Sequence, residues 1–183
     1  MNKNRLSPAL ASALNAQMTK EAYASQIYLS FASWADTQGF EGVATFLFRH
    51  ANEERNHMMK ILEYILKRGA KAEIVAIPVP HENPESLFHC FEKIYEHEVD
   101  NTKAIYKLVN MSLGEEDWAT WNFLQWFVSE QVEEETLALQ LIDKIRIAGG
   151  EKISHNTLYV LDKDMGNNSG SIKSALEATT DNP

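Results

Sequence analysis

Four long stretches of the chain place apolar residues three and four positions apart, the spacing of one face of an α-helix. The first opens at Ser7-Pro8, an N-cap followed by a proline where a missing N–H costs nothing, and stops before Gly39. Its stripe reads Leu10, Leu14, Gln17, Glu21, Ala24, Tyr28, Phe31 and Ala35. The second follows Phe40 and runs to about Arg68, closed by Gly69, with a stripe of Val43, Leu47, His50, Glu54, His57 or Met58, Ile61 and Ile65. The third is expected to open with Asn83 as N-cap and Pro84 at the first helical position. Its stripe is Leu87, Phe91, Ile94, Glu98, Asn101 or Thr102, Ile105 and Leu108, and Gly114 ends it. The fourth runs from about Glu116 to Ala148, ahead of Gly149-Gly150, on Phe123, Phe127, Glu130 or Gln131, Glu134, Ala138, Leu141 and Ile145.

The connections set the topology. A short turn makes the first two helices antiparallel neighbours. Pro78, Pro80 and Pro84 exclude a continuous helix between residues 70 and 84. The apolar run Glu73–Ile77 in that segment has no visible partner strand, so it reads as one long crossover packed on the bundle. A crossover of that length lets the second and third helices run parallel. Asn156–Met165 is a short amphipathic helix carrying Leu158, Val160, Leu161 and Met165. The expected fold is all-α: a four-helix bundle with a long crossover and a short fifth helix, one domain over residues 1–165. A polar tail follows over 166–183, expected to be flexible in its first half, with room for a helical turn over Ile172–Ala178.

Composition narrows the class. A chain of 183 residues, 44% apolar, can bury a sizeable core. No run of about 18 apolar residues is present, so no membrane span is expected, and no apolar segment follows the basic N-terminus as a secretory signal would require. The net charge of −9, without a basic cluster, argues against nucleic acid and for cations as partners. Cys90 is the single cysteine, which excludes a disulfide framework and any CxxC site and suits a reducing cytoplasm.

Each helical stripe is broken near its middle by an acid: Glu21, Glu54, Glu98 and Glu134, joined by His57 and Gln131. Each alone has a plain explanation, since a lone glutamate on a stripe usually snorkels to solvent and a lone histidine is usually a satisfied core residue. Four interruptions at matching depth do not. In an up-down-down-up bundle they meet in one layer, where burial costs several kcal/mol per carboxylate (order of magnitude) and the charges repel. Arg55 and Lys103 lie off the stripes, so a bound cation is the remaining compensation, and two divalent cations compensate better. Carboxylates with an imidazole and no thiolate suit iron or manganese. The second helix carries Glu54-x-x-His57; the fourth has Gln131-x-x-Glu134 at the matching place.

At these residues the chain resembles the bacterial non-haem ferritins over roughly residues 5–165. The resemblance is carried by LNAQMTKEAYASQIYLS in the first helix, FLFRHANEERNHM in the second, NFLQWFVSEQVEEE in the fourth and LYVLDKDMG near the end. It implies a ferroxidase that oxidises Fe(II) with O2 or H2O2 at an intra-subunit di-iron centre and stores the product as a ferric oxyhydroxide mineral inside a twenty-four-subunit shell. Glu21, Glu54 and His57 would bind the first iron, and Glu54, Glu98 and Glu134 the second, with Glu54 bridging. Gln131 would hydrogen-bond beside the pair. Tyr28 would be the nearby redox-active phenol, with a core tyrosine of satisfied hydroxyl as the plain alternative. Glu53, Glu130 and Glu133, with Glu134, would form a third iron site. No haem is expected: Arg55 stands where bacterioferritins place a haem-binding methionine, and a second Glu-x-x-His is missing. A rubrerythrin needs a CxxC site, and a mini-ferritin lacks the fifth helix. A soluble di-iron oxidase or peroxidase without a storage role is the alternative. His81, His89, His155 and Cys90 are expected to serve surface or packing, and His50 has no assigned role.

Overall fold

The computed structural model describes residues 4–80 and 83–167; His81 and the expected tail beyond Asn167 lie outside the described residues. Four long helices, α1 (Pro8–Thr37), α2 (Glu41–Lys67), α3 (Leu87–Gly114) and α4 (Trp118–Ile147), form the bundle. A 3-10 turn (Gly150–Lys152) leads to a fifth helix, α5 (His155–Asn167). α1 starts as expected, with Ser7 Oγ accepting from Leu10 N and Pro8 in the first turn. α3 does not: its N-cap is Ser86, whose hydroxyl accepts from His89 N, and Ser86 is itself extended. Asn83 and Pro84 therefore precede the helix, with Pro84 buried under its start. α4 begins after Glu116, held at φ 57°, and is capped by Asp117, which accepts from Thr120 N. α5 includes Gly166 and Asn167, so the helix extends past the expected Met165.

Contacts across the bundle fix the directions. Along α2 and α4, His50 faces Glu134, His57 faces Glu130, Tyr64 bonds Thr120 and Arg68 pairs with Asp117, an antiparallel order. Along α1 and α3, Gln17 meets Asn101 and Tyr28 meets Glu98, also antiparallel. With α1 and α2 joined by the tight turn at Gly39, the arrangement is up-down-down-up, and α2 and α3 run parallel through the long crossover.

The apolar core is in two parts. One holds Phe31, Leu47, Phe91 and Ile142. The other holds Leu14, Ile61, Ile105 and Phe127. Between them lie the mid-stripe polar residues, all buried. Two expectations about apolar side chains need correction. Phe123 is only half-buried and Leu124 takes the core position, while Phe123 stacks on Tyr64 at 3.9 Å. The crossover is tethered at its start, where Asn15 donates to Lys71 O and accepts from Glu73 N. Beyond it Ile74, Val75 and Val79 are exposed rather than packed on the bundle. A groove of about 530 Å³ lies between α1 and the start of the crossover, lined by Ala11, Asn15, Ala70 and Val75, and the crossover leaves it open instead of filling it.

α5 docks on the start of α2. Asp162 Oδ1 accepts from Val43 N at 2.9 Å, a side-chain cap supplied from another helix. The approach depends on Gly42: a Cβ there would sit 1.9 Å from Asp162 O and 3.0 Å from Gly166 N, all backbone. Gly42→Ala should therefore displace α5, with hydrogen exchange over residues 155–167 accelerating while α1–α4 stay protected. A loss of about 1–3 kcal/mol in stability is expected; unchanged exchange in α5 would contradict this close packing.

Candidate metal centre

The four stripe carboxylates and both flanking partners lie in the layer between the two apolar clusters because each helix places them at mid-length. Glu21 on α1 and Glu54 and His57 on α2 each offer a ligand atom within 4.8 Å of the others, and all three are buried. His57, not Met58, faces inward, as the helical register requires once Glu54 does. His57 Nδ1 stands 3.6 Å from Glu54 Oε2, an oxygen that is buried and makes no hydrogen bond. Glu98 on α3 accepts from Tyr28 Oη at 2.9 Å and from Gln131 Nε2 at 3.3 Å. Glu134 on α4 lies 3.6 Å from His50 Nδ1.

A second three-ligand group consists of His50, Glu53 and Glu134. His50 Nδ1 is 3.1 Å from Glu53 Oε2, and the ring stacks on Tyr28 at 5.6 Å. Of the remaining candidates, Glu130 approaches His57 Nε2 from the opposite side at 3.9 Å, and Glu133 is exposed. Sequence reasoning left His50 without a role. Its place on the α2 stripe, one turn before Glu54, was the signal. Gln17 and Asn101 were also seen on stripes without a role, and both hydrogen-bond Glu21 in the buried layer. Cys90 is buried, and burial pushes its thiol up to about 12, so it packs rather than reacts. His155 is exposed at the start of α5.

The electrostatics of the layer are those of crowded, desolvated acids. Burial raises Glu54 well above the ordinary carboxylate range, and the charges of Glu98, Glu21 and Glu134 add to the rise. Burial likewise pushes Glu98 up to about 7; Tyr28 and Gln131 oppose this by hydrogen-bonding its charged form, and Glu21 and Glu135 reinforce it. Tyr28 is raised well above its usual value, by burial first and then by Glu98, Glu134 and Glu54. A cation among these groups would remove both the desolvation cost and the repulsion. The oxygen-rich donor set with imidazole, and the hydrogen-bond-free Glu54 Oε2, fit a divalent transition metal.

Comparison with known proteins agrees with this geometry. A ferritin-like domain family model matches residues 11–148. The chain is 41% identical over 162 residues to the bacterial non-haem ferritin of Campylobacter jejuni, covering 88% of this chain and 95% of that one. It is 43% identical over 162 residues to a probable bacterial non-haem ferritin-like protein of Haemophilus influenzae, covering 88% and 96%. Among solved structures, an open-pore ferritin from the hyperthermophilic archaeon Archaeoglobus fulgidus superposes with a TM-score of 0.85 at 40% identity, over 88% of this chain and 98% of that one.

The raised Glu98 has a consequence for the metal-free chain. Its ordinary value of 4.5 rises to about 7 on folding, so the folded chain holds a proton that the unfolded chain releases. That contribution to stability is fully present below about 4.5 and is lost as pH rises through about 7. Glu98→Gln lacks this penalty. In chelator, the variant should gain on the parent chain between about pH 5 and about pH 8, by at most about 3 kcal/mol. Thermal melts of both proteins at the two pH values check this, and a pH-independent difference would contradict it.

Proposed function

The chain belongs to the bacterial non-haem ferritin family, its bundle and paired carboxylate–histidine clusters support an iron-oxidising and storage role, and we propose that it is the ferroxidase-active subunit of a twenty-four-subunit iron-storage shell. Iron is the substrate and the cargo. The single observation that carries the reading is the buried Glu21–Glu54–His57 group in one layer with Glu98 and Glu134. On this reading Glu21, Glu54 and His57 hold the first Fe(II), and Glu54, Glu98 and Glu134 the second, with Glu54 shared. Two Fe(II) each give up one electron. O2 with two protons becomes peroxide, or peroxide with two protons becomes water. Hard carboxylate oxygens favour Fe(III) over Fe(II) and so favour the oxidation.

The chain's own groups manage protons and product. Glu54 and Glu98, raised by burial, are the groups whose protons leave when a cation enters. Tyr28 donates its hydroxyl to Glu98 Oε1, which supports a phenol able to give an electron to the O2 or peroxide being reduced while its proton passes to that carboxylate. Gln131 presents an amide hydrogen to Glu98, so the second position has no imidazole to match His57 and should release Fe(III) more readily. Glu53, Glu130 and Glu133, with Glu134, form the proposed third position. The closeness of Glu53 to Glu134 and His50 supports it, whereas Glu133 must swing in from solvent.

The cavity beside Tyr28, His50 and Glu134 is about 10 Å³, the size for one water rather than an organic substrate, which favours ferroxidase over an oxygenase. Exposed Ile74, Val75, Val79 and Ile147 support burial of this surface between copies. Arg55 is exposed and offers no ligand to a haem. Among the described residues no helix is long and apolar enough to cross a membrane, and the single buried cysteine fits a cytoplasmic setting.

Removing both Glu54 and His57 as alanines should lower the Fe(II) oxidation rate more than about 100-fold, beyond the usual cost of losing a ligand's outer partner. The double variant should still elute as a particle of several hundred kilodaltons (order of magnitude) on size exclusion. Stopped-flow absorbance after mixing with Fe(II) measures the rate; parental rates would refute the site, and elution of the parent chain as a monomer would refute the shell.

A further inference from the structure

Three buried carboxamides tie the acidic layer together, and the carboxylates dictate which way each one points. Two acceptors do not face one another, so the short contacts of each amide fix which end is the N–H donor. Gln17 Nε2 lies 2.7 Å from Glu21 Oε1, so its nitrogen faces Glu21. Asn101 Nδ2 lies 3.3 Å from Glu21 Oε2, so its nitrogen faces the same group. Asn101 Oδ1 then accepts the second hydrogen of Gln17 Nε2 at 2.7 Å. Asn101 Nδ2 also donates to Gln131 Oε1 at 3.3 Å, which turns Gln131 Nε2 toward Glu98 Oε2 at 3.3 Å. Gln131 Nε2 reaches Glu98 O and Thr102 Oγ1 as well, each at 3.3 Å.

Gln17, Asn101 and Gln131 are all at most 3% exposed. A carboxamide at such a depth is worth keeping only when its bonds are made, since leucine would pack there without the desolvation cost. Asn101 is the member that bonds both other amides and Glu21. It touches no proposed position directly, but by engaging Gln131 Oε1 it acts with the Glu98 oxygens to fix what Gln131 shows to the second one. With Gln131 Oε1 engaged by Asn101, the second position faces an N–H donor instead of a carbonyl ligand. The first position, by contrast, faces a Glu21 carboxylate held by two amides.

We propose that Asn101 is a positioning residue that sets the asymmetry between the two metal positions, keeping the first firm by orienting Glu21 and the second weak by holding the Gln131 oxygen away. The proposal rests on the metal centre described under the proposed function. Replacing Asn101 with leucine frees Gln131 to turn its oxygen inward and leaves Glu21 with one amide fewer. The two positions should then converge in affinity.

Co(II) titration of the metal-free assembled protein, followed by visible absorbance, reads the two dissociation constants per chain without any turnover. In Asn101→Leu the ratio of the second constant to the first should fall about tenfold or more, the scale on which outer partners act on metal affinity. Asn101→Ser, which is small and polar and too short to reach Gln131, should fold readily and give the same fall. A ratio within about twofold of the parent in either assembled variant overturns the proposal, because a packing defect alone weakens both positions together. Glu54→Ala separates this from failure of the centre itself: it should abolish both parental Co(II) bands. If it binds Co(II) like the parent, the centre is wrong and the proposal falls with it.

Discussion

Burying several carboxylates in one layer of a helical core is the constraint on which the rest of the structure depends. Glu21, Glu54, Glu98 and Glu134 are each at most 4% exposed, and among the described residues no lysine or arginine is buried with them. The chain meets this cost in the metal-free state by three means. It favours the protonated form of Glu54 and Glu98 by burying them, which raises both above the ordinary carboxylate range. It turns amide and hydroxyl donors from Gln17, Asn101, Gln131 and Tyr28 onto the oxygens. It surrounds the layer with apolar packing on both sides, so the four helices cannot part without exposing core. What protons do incompletely a divalent cation would do better, and the ligand groups of this layer are placed to hold one.

The two ends of the bundle are stabilised by unlike means. At the Arg68 end, Arg68 Nη2 donates to both carboxylate oxygens of Asp117 and joins α2 to α4, and the same aspartate caps α4. Arg68 also bonds Arg5 O, tying down the segment before α1. At the opposite end, α5 closes the bundle through backbone contact at Gly42 and Gly166 and the Asp162 cap of α2. The acidic layer lies between these fastenings. Its geometry is therefore held from both ends, as a site needing sub-ångström placement requires.

The mid-stripe interruptions made most of this legible in advance. Helical period alone put Glu21, Tyr28, Glu54, Glu98 and Glu134 on core faces, and the long proline-containing connection implied parallel α2 and α3. The errors fell where local signals competed. Asn83-Pro84 looked like a helix start, yet the Ser86 hydroxyl reached His89 N and took the cap. The apolar crossover looked like packing material, yet Ile74, Val75 and Val79 are exposed, because the chain is tethered to α1 only at its start, through Asn15.

What the sequence determined by itself was the periodicity: which residue types face inward, where helices stop, and that acids recur at one depth. Those properties are local and survive any arrangement of the helices. Only the tertiary structure decided partnership. Gln17, Asn101 and His50 were visible as polar stripe positions, but nothing in one helix says that Gln17 meets Asn101 across 84 residues, or that His50 joins Glu53 and Glu134 rather than Glu54. Hydrogen-bond direction depends on which acceptor arrives from another helix, and that is set by packing between elements, not by the pattern within one.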